Sequence, residues 1–282
     1  MSRLISYLFI GVVIFLFVME GRQADHIQII IGALLATLAA YTSFFLAVVS
    51  LDAILAISVF GTIVFGFGGW IFTFAVLAFF ISSSAFSLLN RQYSRTHEQR
   101  IPERRQEAGE RRSGLQVWAN GFWIAVFLTG WFLFDAPFWL VAAFGALATA
   151  ASDTWATEWG TYRPGKTVDV VSFKLTKPGT DGGVSVKGTI AALAGAAMVA
   201  LFMAWWASPL HAQTAALIVF LSGILGCLAD SYIGALLRHK NMGREMVVYS
   251  TGISARTNSV TNWLATGFGG LAAMVLNFLF GV

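Results

Sequence analysis

Residues 53–89 read AILAISVFGTIVFGFGGWIFTFAVLAFFISSSAFSLL, without one charged side chain from end to end. About 20 apolar residues cross the hydrocarbon of a bilayer as a helix. This stretch is long enough to supply two spans, 53–65 and 67–89, divided at Gly66. Working outward, similar runs recur at 4–19 and 27–50 before it, and at 115–133, 136–151, 187–206, 213–237 and 258–281 after it. The sum is nine helices, with 53–65 and 136–151 short enough to be tilted or re-entrant. The expected fold is an all-α, polytopic transmembrane bundle forming a single integral-membrane domain over 1–282.

Composition agrees. Of the 282 residues, 57% are apolar and 11% charged, and the mean hydropathy is +0.73. Soluble domains are nearer a quarter charged, so the apolar excess must face lipid. Cys227 is the single cysteine, which excludes an intrachain disulfide. The run at 4–19 is not followed by a small-residue cleavage site, so it reads as a first membrane helix rather than a removed signal peptide. No nucleic-acid partner is expected.

Basic residues near helix ends stay in the cytoplasm. With loop 90–114 placed inside, loops 152–186 and 238–257 fall inside too, and 17 of the 18 Lys and Arg lie on that face. The expected layout has a cytoplasmic N-terminus and a multi-pass location in a prokaryotic cytoplasmic membrane. A faint internal echo is also present. Ser82-Ser83-Ser84, Asn90-Arg91 and Asn120-Gly121 are matched by Asp230-Ser231, Arg238 and Thr261-Asn262.

Polar residues concentrate in three segments. The first, Ala151-Ser152-Asp153-Thr154-Trp155-Ala156-Thr157-Glu158-Trp159-Gly160, follows an apolar helix directly. Acids so close to hydrocarbon are costly and usually functional. Asp153 and Glu158 lie about 140° apart if the helix continues, so a turn is needed to bring them together. Two carboxylates with interleaved hydroxyls suit a hard cation such as Mg²⁺; the bland alternative is polar capping of a helix end. The second, Lys174-Leu175-Thr176-Lys177-Pro178-Gly179-Thr180-Asp181-Gly182-Gly183-Val184-Ser185, joins flexible glycines, hydroxyls and lysines ahead of a helix N-terminus. That combination suits a phosphate, although it lacks the spacing of a P-loop, and an ordinary glycine-rich connector would look alike. The third places Asp230 inside an apolar helix among Gly223, Gly226 and Gly234. Helix packing explains the glycines, but a buried Asp needs a cation, a metal or a basic partner. Gln116 with Asn120, and Asn258 with Asn262, are each four apart, on one helical face. They are candidates for nucleotide, metal or phosphate, or for hydrogen bonds between helices.

These segments, in this order, resemble the domain of unknown function 92 family. The carriers are Asp153 to Glu158, Pro178 to Ser185, Asp230-Ser231, Thr257-Asn258 through Asn262, Arg112-Ser113 to Asn120-Gly121, and Gly66 to Trp70. The family includes the plant phytyl-phosphate kinase and transmembrane protein 19. The resemblance implies a kinase of polyprenyl monophosphates, passing phosphate from a nucleoside triphosphate, CTP above all, to phytyl or geranylgeranyl phosphate. Asp153, Glu158 and Asp230 would then hold Mg²⁺ and serve catalysis. Lys174, Lys177 and the loop Gly179, Thr180, Asp181, Gly182, Gly183 and Ser185 would hold the transferring phosphate, with Asn120, Asn258 and Asn262 nearby. Arg112 would take the acceptor phosphate. The expected partners are isoprenoid phosphate, nucleotide and the lipid bilayer, and a homo-oligomer is compatible with this reading. A CDP-lipid-forming cytidylyltransferase and a membrane transporter are the competing readings.

Overall fold

A computed structural model describes residues 1–21, 23–96, 111–163, 165–241 and 251–280, except for the side chains of 91, 94–96, 240–241 and 251–257. The middle of the 90–114 loop and most of the 238–257 loop lie outside the described residues. The chain forms α1 (Ser2–Met19), α2 (Gln23–Phe45), α3 (Leu51–Thr96), α4 (Gly114–Phe134), α5 (Pro137–Thr161), α6 (Val186–Trp206), α7 (Ala212–Asn241) and α8 (Thr251–Phe280). Between α5 and α6 stand three short strands, β1 (Thr167–Asp169), β2 (Leu175–Thr176) and β3 (Gly183–Ser185).

Among the described residues eight helical elements stand where nine helices were expected, because spans 53–65 and 67–89 follow one another, as two helices meeting at a break, in α3. Its interior is broken at Gly69, where φ is +70. The break falls three residues beyond Gly66 for a physical reason. Gly66 lies against Ile29, while a side chain at Gly69 would meet nothing within 4 Å. The carbonyls of Phe65 and Gly66, which lose helical partners at the break, accept instead from the Gln28 side chain at 2.9 and 3.1 Å. The two arms of α3 run in opposite directions. The first lies alongside α4, with Phe60 by Trp118 and Phe67 by Phe132. The second lies alongside α5, with Phe72 by Phe144 and Phe86 by Trp155 and Trp159. Among the described residues seven helices, all except α5, are long and apolar enough to cross a membrane.

α5 is the hub. Every residue from Leu140 to Ser152 is buried, and the helix touches α3, α4, α6, α7 and α8. Its run of Ala and Gly removes side-chain bulk, so neighbouring backbones approach closely. Gly223 of α7 lies on Ala148, and Gly226 of α7 and Gly269 of α8 lie on Thr149. The helix does not stop at 151, as the sequence suggested, but runs to Thr161, carrying both Asp153 and Glu158. The strands form one antiparallel sheet in the order β2-β1-β3, and Ser185 then caps α6 by accepting from Gly188 N at 3.2 Å.

Candidate functional site

The end of α5 that carries Asp153 meets the last third of α7 and the first turns of α8. The Asp153 carboxyl hydrogen-bonds to that of Asp230. Asp181, from the turn before β3, is close enough for its charge to act on both. The α8 side contributes Thr261, whose hydroxyl donates to the Asn258 carbonyl at 2.9 Å, and the Asn262 amide. That amide lies 3.2 Å from Asp230 Oδ1 and 3.0 Å from the Asn258 carbonyl, placed to donate to both. Its other end lies 3.4 Å from Asn120 Oδ1 on α4. Four segments distant in sequence thus converge on one pair of carboxyls. One turn before Asp230, buried Cys227 hydrogen-bonds to Ser152.

The glycine loop reaches this point by docking on α7. Gly179 and Gly182 have φ of +80 and +78, the left-handed region that disfavours other residues. At Gly182 space is equally restrictive: an added Cβ would stand 2.9 Å from the Ser231 carbonyl and from Ala235 Cα, and closer still to Ala235 Cβ. Gly234 is the matching gap on α7, with Asp181 against it. Much of the expected phosphate cradle is spent on the loop itself. Thr180 N donates to Lys177 O at 3.2 Å, Gly183 N to Thr180 O at 2.8 Å, and the Thr180 hydroxyl to Lys177 O at 2.7 Å. Lys174 and Lys177 are exposed.

Glu158 does not join Asp153 and Asp230. The continued helix turns it toward the second arm of α3, where the Ser87 hydroxyl donates to it. The Asn90 amide donates to its Oε2 at 3.2 Å and to Thr161 Oγ1 at 2.8 Å. The expected three-carboxylate metal set of Asp153, Glu158 and Asp230 is therefore not brought together: Glu158 stands apart, and Asp181 instead lies beside Asp153 and Asp230. Among the described residues no three His, Cys, Asp or Glu side chains group to hold a metal. Gln116 also plays another part than the one expected, as the reciprocal partner of Ser113 in a capping box at the start of α4. Arg112 pairs through its backbone with Val48 and Ser50, and its guanidinium lies 5.8 Å over the Phe80 ring. Asn258 is exposed at the start of the described part of α8.

One anchor of the site was not foreseen. Asp169 is 2% exposed. It accepts from Ser172 N at 2.7 Å, Ser172 Oγ at 2.8 Å and Val171 N at 3.2 Å. It also pairs with Arg238, and with His239 at 3.4 Å. The Ser172 N–H, with that residue's hydroxyl and the His239 and Arg238 side chains, outweighs burial and holds the carboxyl well below the usual carboxylate range. The clamp ties the sheet to the end of α7. Val170 N donates to Gly182 O at 2.9 Å, so the tie extends to the glycine loop.

Seven apolar helices among the described residues, with a pair of carboxyls, amides and a glycine loop gathered at one end of the bundle, define a polytopic membrane protein. Residues 8–278 match the pattern of the family described as integral membrane protein DUF92. The chain belongs to that family. It is similar to an uncharacterized membrane protein of Methanocaldococcus jannaschii, 28% identical over 165 residues, which cover 58% of this chain and 62% of that one. It is also similar to Protein PGR of Arabidopsis thaliana, 34% identical over 103 residues, covering 33% of this chain and 36% of that one. The chain thus spans less than two thirds of the length of either relative. No solved structure matches it.

Proposed function

We propose that the chain is a prenyl monophosphate kinase, transferring phosphate from a nucleoside triphosphate, CTP above all, to a phytyl- or geranylgeranyl-type phosphate at the cytoplasmic face. The observation that carries this reading is the meeting of Asp153 on α5, Asp230 on α7 and Asp181 on the glycine loop. Two carboxyls in contact cannot both remain bare anions; a proton or a cation must lie between them. Mg²⁺ fits this donor set, because it binds through one or two carboxylates and takes its other ligands from water and phosphate. Held by these carboxyls, such an ion would supply positive charge to neutralise phosphate oxygens. Asn262 orients Asp230 through its 3.2 Å contact. Lys177, on the glycine loop, supplies positive charge for the nucleotide phosphates, and Arg111 or Arg112 is the candidate for the acceptor phosphate. An acceptor phosphate is already ionised near neutral pH, so no strong general base is required, which fits a site with no His among these carboxyls. Polar groups gathered at one end of the bundle favour chemistry at an interface over a transport path through the whole membrane depth.

The test is to incubate the purified protein with labelled CTP or ATP, Mg²⁺ and a panel of prenyl monophosphates. Prenyl diphosphate with release of the nucleoside diphosphate is expected, and Asp153→Asn and Asp230→Asn should each abolish it. Release of pyrophosphate would identify a cytidylyltransferase instead. Absence of diphosphate, with both variants indistinguishable from wild type in every nucleotide reaction, would end the kinase reading.

A further inference from the structure

The small sheet between α5 and α6 turns an apolar face outward. Thr167 and Asp169 point inward and are buried, so Val168 between them points out. The register sets Val168 opposite Leu175 on one side and Val184 on the other, which makes an apolar row across all three strands. Leu175 is 73% exposed. At the adjoining turn Phe173 is 81% exposed, in a left-handed conformation, φ +55, that a bulky residue rarely adopts. The turn is held rigidly in that state. Phe173 N donates to Asp169 O at 2.9 Å, and Asp169 N to Lys174 O at 2.9 Å, while the Asp169 carboxylate gathers Val171 and Ser172 beneath.

Charge and position say what covers this face. Lys166 and Lys174 are exposed at its edges. β3 runs without a break into α6, a helix that is long and apolar enough to span and whose first residue, Val186, is exposed. The sheet therefore stands at the level where a bilayer surface begins. An aromatic tip and an aliphatic row edged by lysines are the recognition chemistry of an anionic lipid–water interface, and lysine stems reach along such a surface with their charges in the headgroup layer. We infer that Phe173 and the Leu175–Val168–Val184 row insert into the headgroup region of the leaflet beside α6, with preference for anionic phospholipids. This contact is independent of the proposed kinase activity. It would fix the height of the sheet, and hence of Asp181, against the membrane.

The test uses the full chain in nanodiscs of phosphatidylcholine, alone or mixed with phosphatidylglycerol. Phe173→Cys carries a polarity-sensitive fluorophore, and wild type treated with the same reagent controls for Cys227. The expected result is a blue-shifted emission quenched by lipids brominated near the headgroup, both effects being larger with phosphatidylglycerol. Leu175→Ser in the labelled chain should reduce both. A label that stays water-exposed and unquenched in every disc overturns the inference. Equal quenching in neutral and anionic discs overturns the anionic preference, and self-quenching between labelled copies without quenching by lipid assigns the face to a second copy of the chain instead.

Discussion

Replacing Gly182 with alanine puts the loop docking to a direct test. Two costs add. A left-handed φ costs a residue with a Cβ about 1–2 kcal/mol, and Gly182 sits at +78. The new methyl would also stand 2.9 Å from the Ser231 carbonyl oxygen and from Ala235 Cα, against an ordinary carbon contact of about 3.5–4.0 Å. The backbone of α7 cannot yield, so the loop must lift. Overpacking of this kind costs about 1–3 kcal/mol. Together they amount to about 2–5 kcal/mol, and at about tenfold per 1.4 kcal/mol the docked state loses a factor of about 30 at the least. The assay need not involve activity. Val170 N donates to Gly182 O, so hydrogen exchange at the Val170 amide reports docking, and its protection should fall by about that factor. Helix amides within α5 should keep theirs. If Val170 in Gly182→Ala exchanges as slowly as in wild type, the loop is not held where it is by contact with α7, and the delivery of Asp181 to the carboxyl pair fails as an explanation.

Two further outcomes follow from the same geometry. Glu158→Gln should leave phosphoryl transfer within about threefold of wild type, since Glu158 faces α3, while the loss of its charged acceptor role toward Ser87 and Asn90 lowers the thermal unfolding temperature by the equivalent of about 1–3 kcal/mol; loss of turnover as complete as in Asp153→Asn would return Glu158 to the catalytic set. The carboxyl of Asp169 is held below its unfolded value of about 3.9, so its stabilisation is fully present above that value and drains away as pH falls toward the folded value; exchange at Ser172 should therefore quicken only below about pH 4 in wild type, whereas Asp169→Asn should show the loosened turn already at neutral pH.

The sequence and the folded chain part company at instructive places. Helix positions were legible because lipid makes hydropathy a nearly sufficient signal. Asp153 and Asp230 could be picked out because an acid near hydrocarbon is expensive wherever it sits, and Asp181 only as part of the glycine loop. The fate of Glu158 was not legible. It depends on whether the helix stops at 151 or continues to 161, and the buried contact of Asn90 with Thr161 and Glu158 holds that last stretch in place from another part of the chain. The Asp169 clamp joins residues 69 apart to a strand of three residues, too short for an alternation pattern to be read. The turn in α3 was placed three residues early because Gly66, Gly68 and Gly69 look alike until one knows that Ile29 occupies the space beside the first.

The faint echo along the sequence acquires a physical meaning in the bundle. Asn120 and Asn262, the two members that open α4 and α8, meet at 3.4 Å. The second arm of α3 and α7, which carry the other matched positions, flank α5 on different faces. α5 presents one acid to each: Glu158 to Ser87 and Asn90, Asp153 to Asp230. On the α3 side the carboxylate meets only hydroxyls and an amide, and its charge is met by donors. On the α7 side it meets a second carboxyl, with a third beside it, and the Asn262 amide reaches only one of the pair. The first arrangement is complete as it stands and serves as a latch between helices. The second crowds carboxyls together with fewer donors, and acids placed so close to hydrocarbon are most often functional. That asymmetry, rather than any one residue, is the reason the site belongs to the α5–α7–α8 side of the bundle.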